Sequence, residues 1–240
     1  MKLFFGIMFF ISVARADLAG DLLTASDQGR GGMKEGIEWQ ANIETSENGE
    51  SSVREFSIKA KEHDAYVEAL QPARNKGEVF LFNDRQMWFF KPSLKKPVSI
   101  SARQKLTGQA ANGDIASTHY ARDYTASLER TEELEGVKHH VLLLKAKSKN
   151  LTYEQIRYWI SDKTKLATKA EFLTLQGKPF KLGTLEYKNK LNIGGKSMAF
   201  VSQLRIVDAR FSNNYSVIRY SRPRIVEHPA SIFNVNNLTR

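Results

Sequence analysis

The sequence predicts a mainly β protein, in which a large antiparallel sheet curls into a barrel or half-barrel covered by one or two helices. Apolar and polar residues alternate along many short segments, as in strands with one buried face. Turn-forming pairs such as Asn48-Gly49 and Gly194-Gly195 separate these segments. About ten or eleven strands follow one another, and an antiparallel sheet of that size curls or closes instead of staying flat.

The N-terminus has the pattern of a cleavable signal peptide. Lys2 precedes an apolar core from Leu3 to Val13, and Ala14-Arg15-Ala16 matches the small-x-small cleavage pattern. We therefore expect cleavage after Ala16, export to the periplasm of a Gram-negative bacterium, and a single domain over residues 17–240. An uncleaved membrane anchor is the alternative, and the short apolar core makes it the weaker one.

Composition narrows the compartment and the partners. The 240-residue chain contains no cysteine and has a formal net charge of +10. An exported chain without disulfides fits the bacterial periplasm better than eukaryotic secretion. The basic residues are spread along the chain, which favours a solvated basic surface over a dedicated site, although anionic lipid or an acidic partner would also be attracted. Without a nucleic-acid-binding motif, we expect no nucleic acid partner.

The first half of the chain predicts one helix followed by strands. Asp17–Gln28 places Leu18, Leu22 and Ala25 on one helical face, and the glycines that follow end the helix. The expected strands are Ile37–Glu44, Val53–Lys61, Tyr66–Leu70, Val79–Phe82, Met87–Phe90 and Val98–Ala102.

The hairpin within Gly77–Pro97 is unusual because both of its faces are apolar. Its strands are Val79–Phe82 and Met87–Phe90, with Asn83-Asp84-Arg85 as the turn. Successive strand side chains point to opposite faces, so another element or an apolar ligand must cover the second face. Two inward-facing sets remain open: Val79, Leu81, Met87 and Phe89, or Phe80, Phe82, Trp88 and Phe90.

Residues 104–123 interrupt the strand pattern with glycines and small polar residues, and they predict a loop with a short helical turn. Asp114, Tyr120 and Asp123 are its candidate gating residues over a cavity mouth. Strands then resume up to a tail with apolar anchors at Ile232, Phe233 and Leu238. The expected strands are Tyr124–Glu132, Val137–Lys147, Ile156–Ser161, Leu166–Gln176, Lys181–Tyr187, Phe200–Asp208 and Asn214–Tyr220.

No catalytic pattern stands out. His139 and His140 are neighbours on a strand and must face opposite sides, so they cannot share one metal. Asp114, His119 and Asp123 share a loop, where turn-forming hydrogen bonds of Asp are a simpler explanation than an acid–base or metal cluster. We therefore expect a non-enzymatic protein with no catalytic residue, no metal and no cofactor.

Several short motifs, in order, resemble the outer-membrane lipoprotein-sorting (LolA-like) family. The resemblance covers most of the chain after the signal peptide. The motifs are Asn75-Lys-Gly77-Glu-Val-Phe-Leu81 after Pro72, Met87-Trp88-Phe-Phe-Lys-Pro92-Ser93, Gly113-Asp114 with Tyr120 and Asp123, Tyr158-Trp159-Ile-Ser-Asp162 with Lys169-Ala-Glu171-Phe172, Gln176-Gly177-Lys178-Pro179, and Ile232-Phe233 with Leu238.

The resemblance implies a half-barrel with an apolar concave face closed by helices or a loop. It implies a periplasmic carrier of lipid or lipoprotein acyl chains, transient membrane contact, an inner-membrane transporter as a candidate partner, and a monomer. No residue matches the family's ligand-gating arginine. The alternative is a lipid-sensing or accessory module that does not transport. The expected cavity residues are Trp39, Ile43, Phe56, Ile58, Val79, Leu81, Met87, Phe89 and Tyr158.

Overall fold

A computed structural model describes residues 7–116 and 119–239. Helix α1 spans Ile7–Gln28 and the short helix α2 spans Tyr120–Asp123. The strands are β1 (Ile37–Glu47), β2 (Glu50–Lys61), β3 (Asp64–Gln71), β4 (Val79–Asn83), β5 (Gln86–Phe90), β6 (Val98–Ile100), β7 (Lys105–Thr107), β8 (Ala110–Ala111), β9 (Tyr124–Leu134), β10 (Val137–Ala146), β11 (Gln155–Ser161), β12 (Ala167–Leu173), β13 (Pro179–Glu186), β14 (Asn189–Ile193), β15 (Lys196–Phe200), β16 (Gln203–Asp208) and β17 (Tyr215–Ile225). Short 3₁₀ helices span Ala73–Asn75, Asn112–Ile115, Ala230–Phe233 and Val235–Asn237.

Thirteen strands form one antiparallel sheet in the order β6-β5-β4-β3-β2-β1-β17-β16-β13-β12-β11-β10-β9. Apart from the β1–β17 and β13–β16 pairs, strands that are neighbours in the sheet are also consecutive along the chain. Hairpins therefore build most of the sheet. The sheet curls strongly, as shown by the ion pair between Arg85 in the β4–β5 turn, near the short edge strand β6, and Asp123, which directly precedes the opposite edge strand β9. The predicted curled antiparallel sheet with few helices is confirmed.

The core lies on the concave face of this sheet. Helix α1 packs inside the curl, with Ala19, Leu22 and Leu23 buried, and it contacts β9, β11 and α2. The expected helix at Asp17–Gln28 is therefore present and forms the C-terminal half of α1. The signal-peptide prediction falls on residues 1–6, which lie outside the described residues, and on residues 7–16, whose side chains are not described. Cleavage after Ala16 stays a prediction.

The Gly77–Pro97 hairpin has a different register from the expected one. Asp84 and Arg85 form a two-residue turn with φ of 41° and 69°, and Asn83 pairs with Gln86. The three-residue turn expected from the sequence is wrong by one position. As a result, both expected inward-facing sets are wrong, because the correct partners are Phe80 with Phe89, Phe82 with Met87, Val79 with Phe90, and Leu81 with Trp88.

The hairpin's two faces are covered by different parts of the chain. Phe80, Phe82 and Met87 belong to the buried core of the concave face, and Phe89 packs against it. Val79 and Phe90 lie on the opposite face, where Ile232 and Leu238 of the C-terminal tail flank a groove of about 610 Å³. The tail therefore covers part of the face that the sequence left unexplained.

Two strands lie where the sequence analysis placed only a turn. Gly194-Gly195 connects β14 and β15, a separate two-stranded hairpin between β13 and β16. Residues 189–193 read Asn-Lys-Leu-Asn-Ile, and this polar composition with only two apolar residues hid the strand. The hairpin buries Leu191 and Phe200 in the core.

Candidate functional site

The concave face of the sheet is a continuous apolar surface. Its central strands β1 and β17 carry Trp39, Ile43 and Ile218, each at most 3% exposed. The same surface continues to both sides of these strands. Further lining residues are Phe56 and Ile58 of β2, Val67 of β3, Phe80 and Phe82 of β4, Leu142 and Leu144 of β10, Ile156 and Tyr158 of β11, and Leu204 and Ile206 of β16.

Helix α1 and one chain segment fill this concave face. We call residues 101–116 and 119–123, between β6 and β9, the closing segment. Its residues Ile115 and Tyr120 are 1% and 5% exposed, as deeply buried as the sheet residues that they cover. The sequence predicts an apolar cavity on this face, whereas in this conformation the face is packed with the protein's own side chains.

The closing segment meets the centre of the sheet at Gly108. A Cβ atom at this position would lie 2.6 Å from Ser216 Oγ and 2.7 Å from Thr45 Cβ, and the φ angle of Gly108 is +52°. The backbone amides of Gln109 and Ala110 donate hydrogen bonds to Ser216 Oγ at 2.8 and 3.2 Å. Glycine is therefore required here by both the backbone conformation and the close approach to β1 and β17.

Asp114 holds the middle of the closing segment. Its Oδ2 accepts hydrogen bonds from the Ala111 amide at 2.8 Å and from the Tyr153 hydroxyl at 2.9 Å. Burial raises the pKa of Asp114, although nearby Lys181 favours the charged form. Lys181 of β13 reaches inward and donates to Gln109 O at 2.6 Å, so a cation from the sheet wall also ties down the segment.

Tyr120 packs into a buried cluster around Arg30. The Arg30 guanidinium lies 4.4 Å from the centre of the Tyr120 ring, and its Nη1 donates to the Tyr158 hydroxyl at 3.3 Å. The Tyr120 ring contacts those of Tyr124 and Tyr158 at 5.1 and 5.6 Å. Burial raises the pKa of Tyr120 and Tyr158, so these hydroxyls stay neutral at pH 7.

Arg30 was missed by the sequence analysis. It lies just after α1 in the run Gly29-Arg30-Gly31-Gly32, which was interpreted only as the end of a helix. A guanidinium stays protonated in proteins, so the concave face contains a buried cation among tyrosine hydroxyls and ring faces. A charged residue within a glycine-rich helix end, next to an apolar run, was the available signal.

Asp123 closes the segment against the Gly77–Pro97 hairpin. Its Oδ1 accepts from Arg85 Nε at 3.0 Å and from Arg122 Nε at 2.9 Å. Arg122 Nη1 also lies 3.4 Å from Asp84 Oδ1 in the same hairpin turn. These ion pairs join the two edges of the curled sheet. All three residues predicted to gate the cavity thus anchor the closing segment, each to a different wall.

Asp27 links α1 to the closing segment. Its Oδ2 accepts the Ala121 amide at 2.8 Å, while its buried Oδ1 has no hydrogen-bond partner. Burial raises the pKa of this carboxyl to about 7, against the opposing effects of the Ala121 amide and Arg30. Asp27 and Ala121 line a groove of about 490 Å³ that runs between α1 and the β2–β3 turn.

His119 and His63 face each other in this groove, with ring centres 4.7 Å apart. Burial first, and then the neighbouring His63, lower the pKa of His119 to about 4. His119 is therefore neutral at pH 7. On the far wall, His140 Nε2 contacts Asp162 Oδ1 and His139 Nε2 contacts Thr168 Oγ1, so these two neighbouring histidines use separate partners.

Most of the expected cavity residues do meet on the concave face. Val79 and Leu81 do not, because β4 pairs with β3 so that Phe80 lies opposite the core residue Val67. Val79 and Leu81 therefore face the convex side, beside Phe90 and Trp88. This part of the prediction is corrected, and Phe80 and Phe82 take their places. The residues that the structure brings together are Trp39, Ile43, Phe56, Ile58, Met87, Phe89 and Tyr158.

Two findings on residues 7–116 and 119–239 concern metal ions and membrane spans. No group of three or more His, Cys, Asp or Glu side chains has a geometry that could hold a metal ion. No described helix is both long enough and apolar enough to span a bilayer.

A curled antiparallel sheet, with an apolar concave face closed by a helix and a loop, defines the LolA-like class of half-barrel proteins. A family model described as "uncharacterized protein" matches residues 61–240. Among solved structures, a LolA superfamily protein from Nitrosomonas europaea is 28% identical, with a TM-score of 0.81 over 91% of this chain and 98% of that one. The chain belongs to the family that this model describes, and it shares the fold of the LolA superfamily protein.

Two further solved structures share the fold at lower identity. A DUF1329 family protein from Desulfovibrio piger is 20% identical, with a TM-score of 0.77 over 93% of this chain and 99% of that chain. A domain described as an outer membrane lipoprotein-sorting protein from Vibrio parahaemolyticus is 19% identical, with a TM-score of 0.76 over 94% of this chain and 100% of that chain. A search of curated protein sequences finds no match.

Proposed function

We propose that this chain is a periplasmic carrier that binds lipid, or the acyl chains of lipoproteins, against the concave face of its half-barrel. The proposal rests on how the concave face is covered by the closing segment. Its apolar lining is closed by one segment, tied down by hydrogen bonds and ion pairs to separate walls, instead of by a second sheet. Moving that segment would exchange one apolar partner for another.

The energetics favour such an exchange. Each methylene group removed from water contributes about 0.8 kcal/mol, so an acyl chain of about fourteen carbons could gain on the order of 10 kcal/mol. That gain would offset the loss of the closing segment's contacts and of the apolar packing of Ile115 and Tyr120. The site then needs little specific chemistry, and no residue is assigned a catalytic role.

Trp39 offers a direct reporter of ligand entry. It lies on the concave face 5.8 Å from the ring of Phe200, whereas Trp88 and Trp159 lie on the convex face. A variant carrying Trp88→Phe and Trp159→Phe keeps Trp39 as its sole tryptophan. We expect phospholipid with brominated acyl chains to quench this fluorescence in a saturable manner. The Trp39→Phe variant, which keeps the two convex tryptophans, is the matched control.

Lipid extraction provides an independent test. The full chain is exported in a Gram-negative host, purified without detergent and extracted with organic solvent for mass spectrometry. Co-purified lipid together with Trp39 quenching would support the carrier. An empty extract with no quenching of Trp39 would refute it. Transfer of labelled lipid from donor to acceptor vesicles then separates a carrier from a lipid-sensing module, which would bind without transferring.

The same preparation tests export. We propose that residues 1–16 are removed, so N-terminal sequencing of the periplasmic protein should begin at Asp17. Recovery of the intact N-terminus in the membrane fraction would support the anchor alternative instead, and would leave the ligand-binding proposal to be decided by the Trp39 measurement.

A further inference from the structure

The most exposed large apolar side chains of the described residues lie together at one rim of the half-barrel. Leu175 is 67% exposed and Phe211 is 64% exposed. Leu175 lies in the β12–β13 turn and Phe211 in the β16–β17 turn. Since β13 pairs with both β12 and β16, these two turns flank the start of the same strand. Phe180, 38% exposed, lies at that start.

Hydrogen bonds within and beside the two turns fix the backbone that carries Leu175 and Phe211. Asp208 at the end of β16 accepts hydrogen bonds from the amides of Arg210 and Phe211 at 2.8 and 2.9 Å. The Asn214 amide donates to Phe211 O at 2.8 Å and closes the turn. In the neighbouring turn, Leu175 O accepts from Gln155 Nε2 at 3.1 Å. Ordered turns thus present Leu175 and Phe211 to solvent.

Positive charge surrounds the apolar tips. Lys178 and Arg210 lie within the two turns and are exposed, and Lys149 lies in the adjacent β10–β11 connection. Residues 174–178 and 209–213 contain no acidic residue. Among neighbouring acids, Asp208 accepts the amides of Arg210 and Phe211, and Glu47 and Glu154 are engaged by Lys105 and Arg103. Glu50 in the β1–β2 turn is exposed.

We propose that Leu175, Phe180 and Phe211, with Lys178 and Arg210, form a docking rim for an anionic lipid bilayer. Exposed apolar tips that enter the interface, together with cations that meet anionic headgroups, are the two signals needed for reversible membrane binding. A neutral protein partner would leave the charge bias of these turns unexplained, and an acidic protein partner is the alternative that the vesicle experiment decides.

The docking rim also lies beside the closing segment. Lys181, next to Phe180 in β13, donates to Gln109 O, the point where the segment crosses the sheet centre. Its Nζ is 5.9 Å from the Phe180 ring. Contact between Phe180 and a bilayer would therefore occur at the edge of the concave face. The inference rests on the proposed carrier function and adds how the carrier would meet its donor or acceptor membrane.

Vesicle flotation tests the docking rim. The full chain is mixed with vesicles of phosphatidylcholine alone, or of phosphatidylcholine with phosphatidylglycerol. We expect binding to the anionic vesicles that weakens as salt increases. Leu175→Ser combined with Phe211→Ser should reduce this binding about tenfold or more, because both apolar side chains that would enter the interface are lost. Lys178→Glu with Arg210→Glu should abolish the preference for phosphatidylglycerol.

A matched control uses apolar residues exposed elsewhere. Val53→Ser with Val137→Ser changes side chains that are 50% and 37% exposed and lie outside the rim, and should leave flotation unchanged. Equal binding by the wild type and the Leu175/Phe211 variant would overturn the proposal, as would no binding by any form, the result expected if the rim contacts only protein.

The Trp39 measurement on the same variants separates this inference from the carrier proposal. Loss of flotation with unchanged quenching by brominated lipid places the defect at the docking rim. If no form of the protein shows quenching, the carrier proposal fails, and the flotation comparison still decides whether the rim binds membranes.

Discussion

Arg85 in the β4–β5 turn and Asp123 at the end of α2 form an ion pair, with Nε and Oδ1 3.0 Å apart. Asp123 is 11% exposed at its side chain and Arg85 is 36% exposed. The pair connects the hairpin at one edge of the sheet to the closing segment just before the other edge strand. It therefore links the regions next to the two edges of the sheet and also holds down the segment that covers the concave face.

Neutralising Asp123 should loosen the closing segment. Asp123→Asn removes the charge that Arg85 and Arg122 share, and we expect local opening to become easier by about 1–2 kcal/mol, or about tenfold faster exchange of the α2 amides. Hydrogen exchange followed by mass spectrometry measures this. The control Glu227→Gln disrupts the exposed pair with Lys61 and should leave α2 unchanged. Unchanged α2 protection in Asp123→Asn would show that packing alone holds the segment.

The two apolar strands of the hairpin and the loop that contains Asp114, Tyr120 and Asp123 could be predicted from the sequence, whereas the contacts between them could not. The existence of the two apolar strands followed from composition, yet their register depended on the turn. Asn83 was included in the turn because of its chemistry, whereas its amide instead donates to Phe233 O in the C-terminal tail. Asp84 and Arg85 adopt positive φ angles without a glycine. A contact 150 residues away cannot be inferred from local turn preferences.

In the candidate site, too, local patterns could be predicted from the sequence and tertiary contacts could not. Alternation along β1 and β2 predicted that Trp39 and Ile43, and likewise Phe56 and Ile58, share one face of their strand, and all four side chains are buried. The buried polar groups Asp27, Arg30 and Lys181 were not predicted, because local sequence places each in an ordinary helix, loop or strand. Their burial arises only when the curled sheet brings the closing segment across them, which is a property of the tertiary structure.

Gly108 should be intolerant of any side chain. In Gly108→Ala the new Cβ would collide with Ser216 and Thr45 and displace two amide hydrogen bonds, so we expect a loss of about 2–4 kcal/mol in the free energy of unfolding. Gly136→Ala is the control, because Gly136 has a φ of +75° but no atom within 4 Å of the new Cβ. That variant should lose only about 1 kcal/mol. Equal losses in urea denaturation would show that backbone strain, not the close approach, sets the requirement.

His119 should make the protein less stable in mild acid. Its folded-state pKa of about 4 lies below the ordinary value of 6.5, so between these values the unfolded state binds more protons. The free energy of unfolding therefore falls as the pH falls from about 6.5 towards 4. The His119→Gln variant should show a smaller fall. An NMR titration of the His119 ring checks the cause directly, and a midpoint near 6.5 would contradict it.

Asp27 should have the opposite dependence, because burial raises its pKa from 3.8 to about 7. Between these values the folded state binds more protons, so the free energy of unfolding falls as the pH rises. Asp27→Asn keeps an oxygen that can accept the Ala121 amide but cannot ionise. It should therefore be more stable than the wild type at pH 8, by up to about 4 kcal/mol, and nearly equal to it near pH 4.

Urea denaturation at both pH values measures this difference, with Asp21→Asn as the control on an exposed position of the same helix. A lower stability of Asp27→Asn at pH 8 would mean that the ionised carboxylate gains more from Ala121 and Arg30 than it loses by burial. The predicted sign follows from Oδ1, which is buried without a hydrogen-bond partner. A carboxylate with one unsatisfied oxygen is costly to ionise. Since Asp27 holds α2, its protonation near neutral pH would also alter how firmly the concave face is closed.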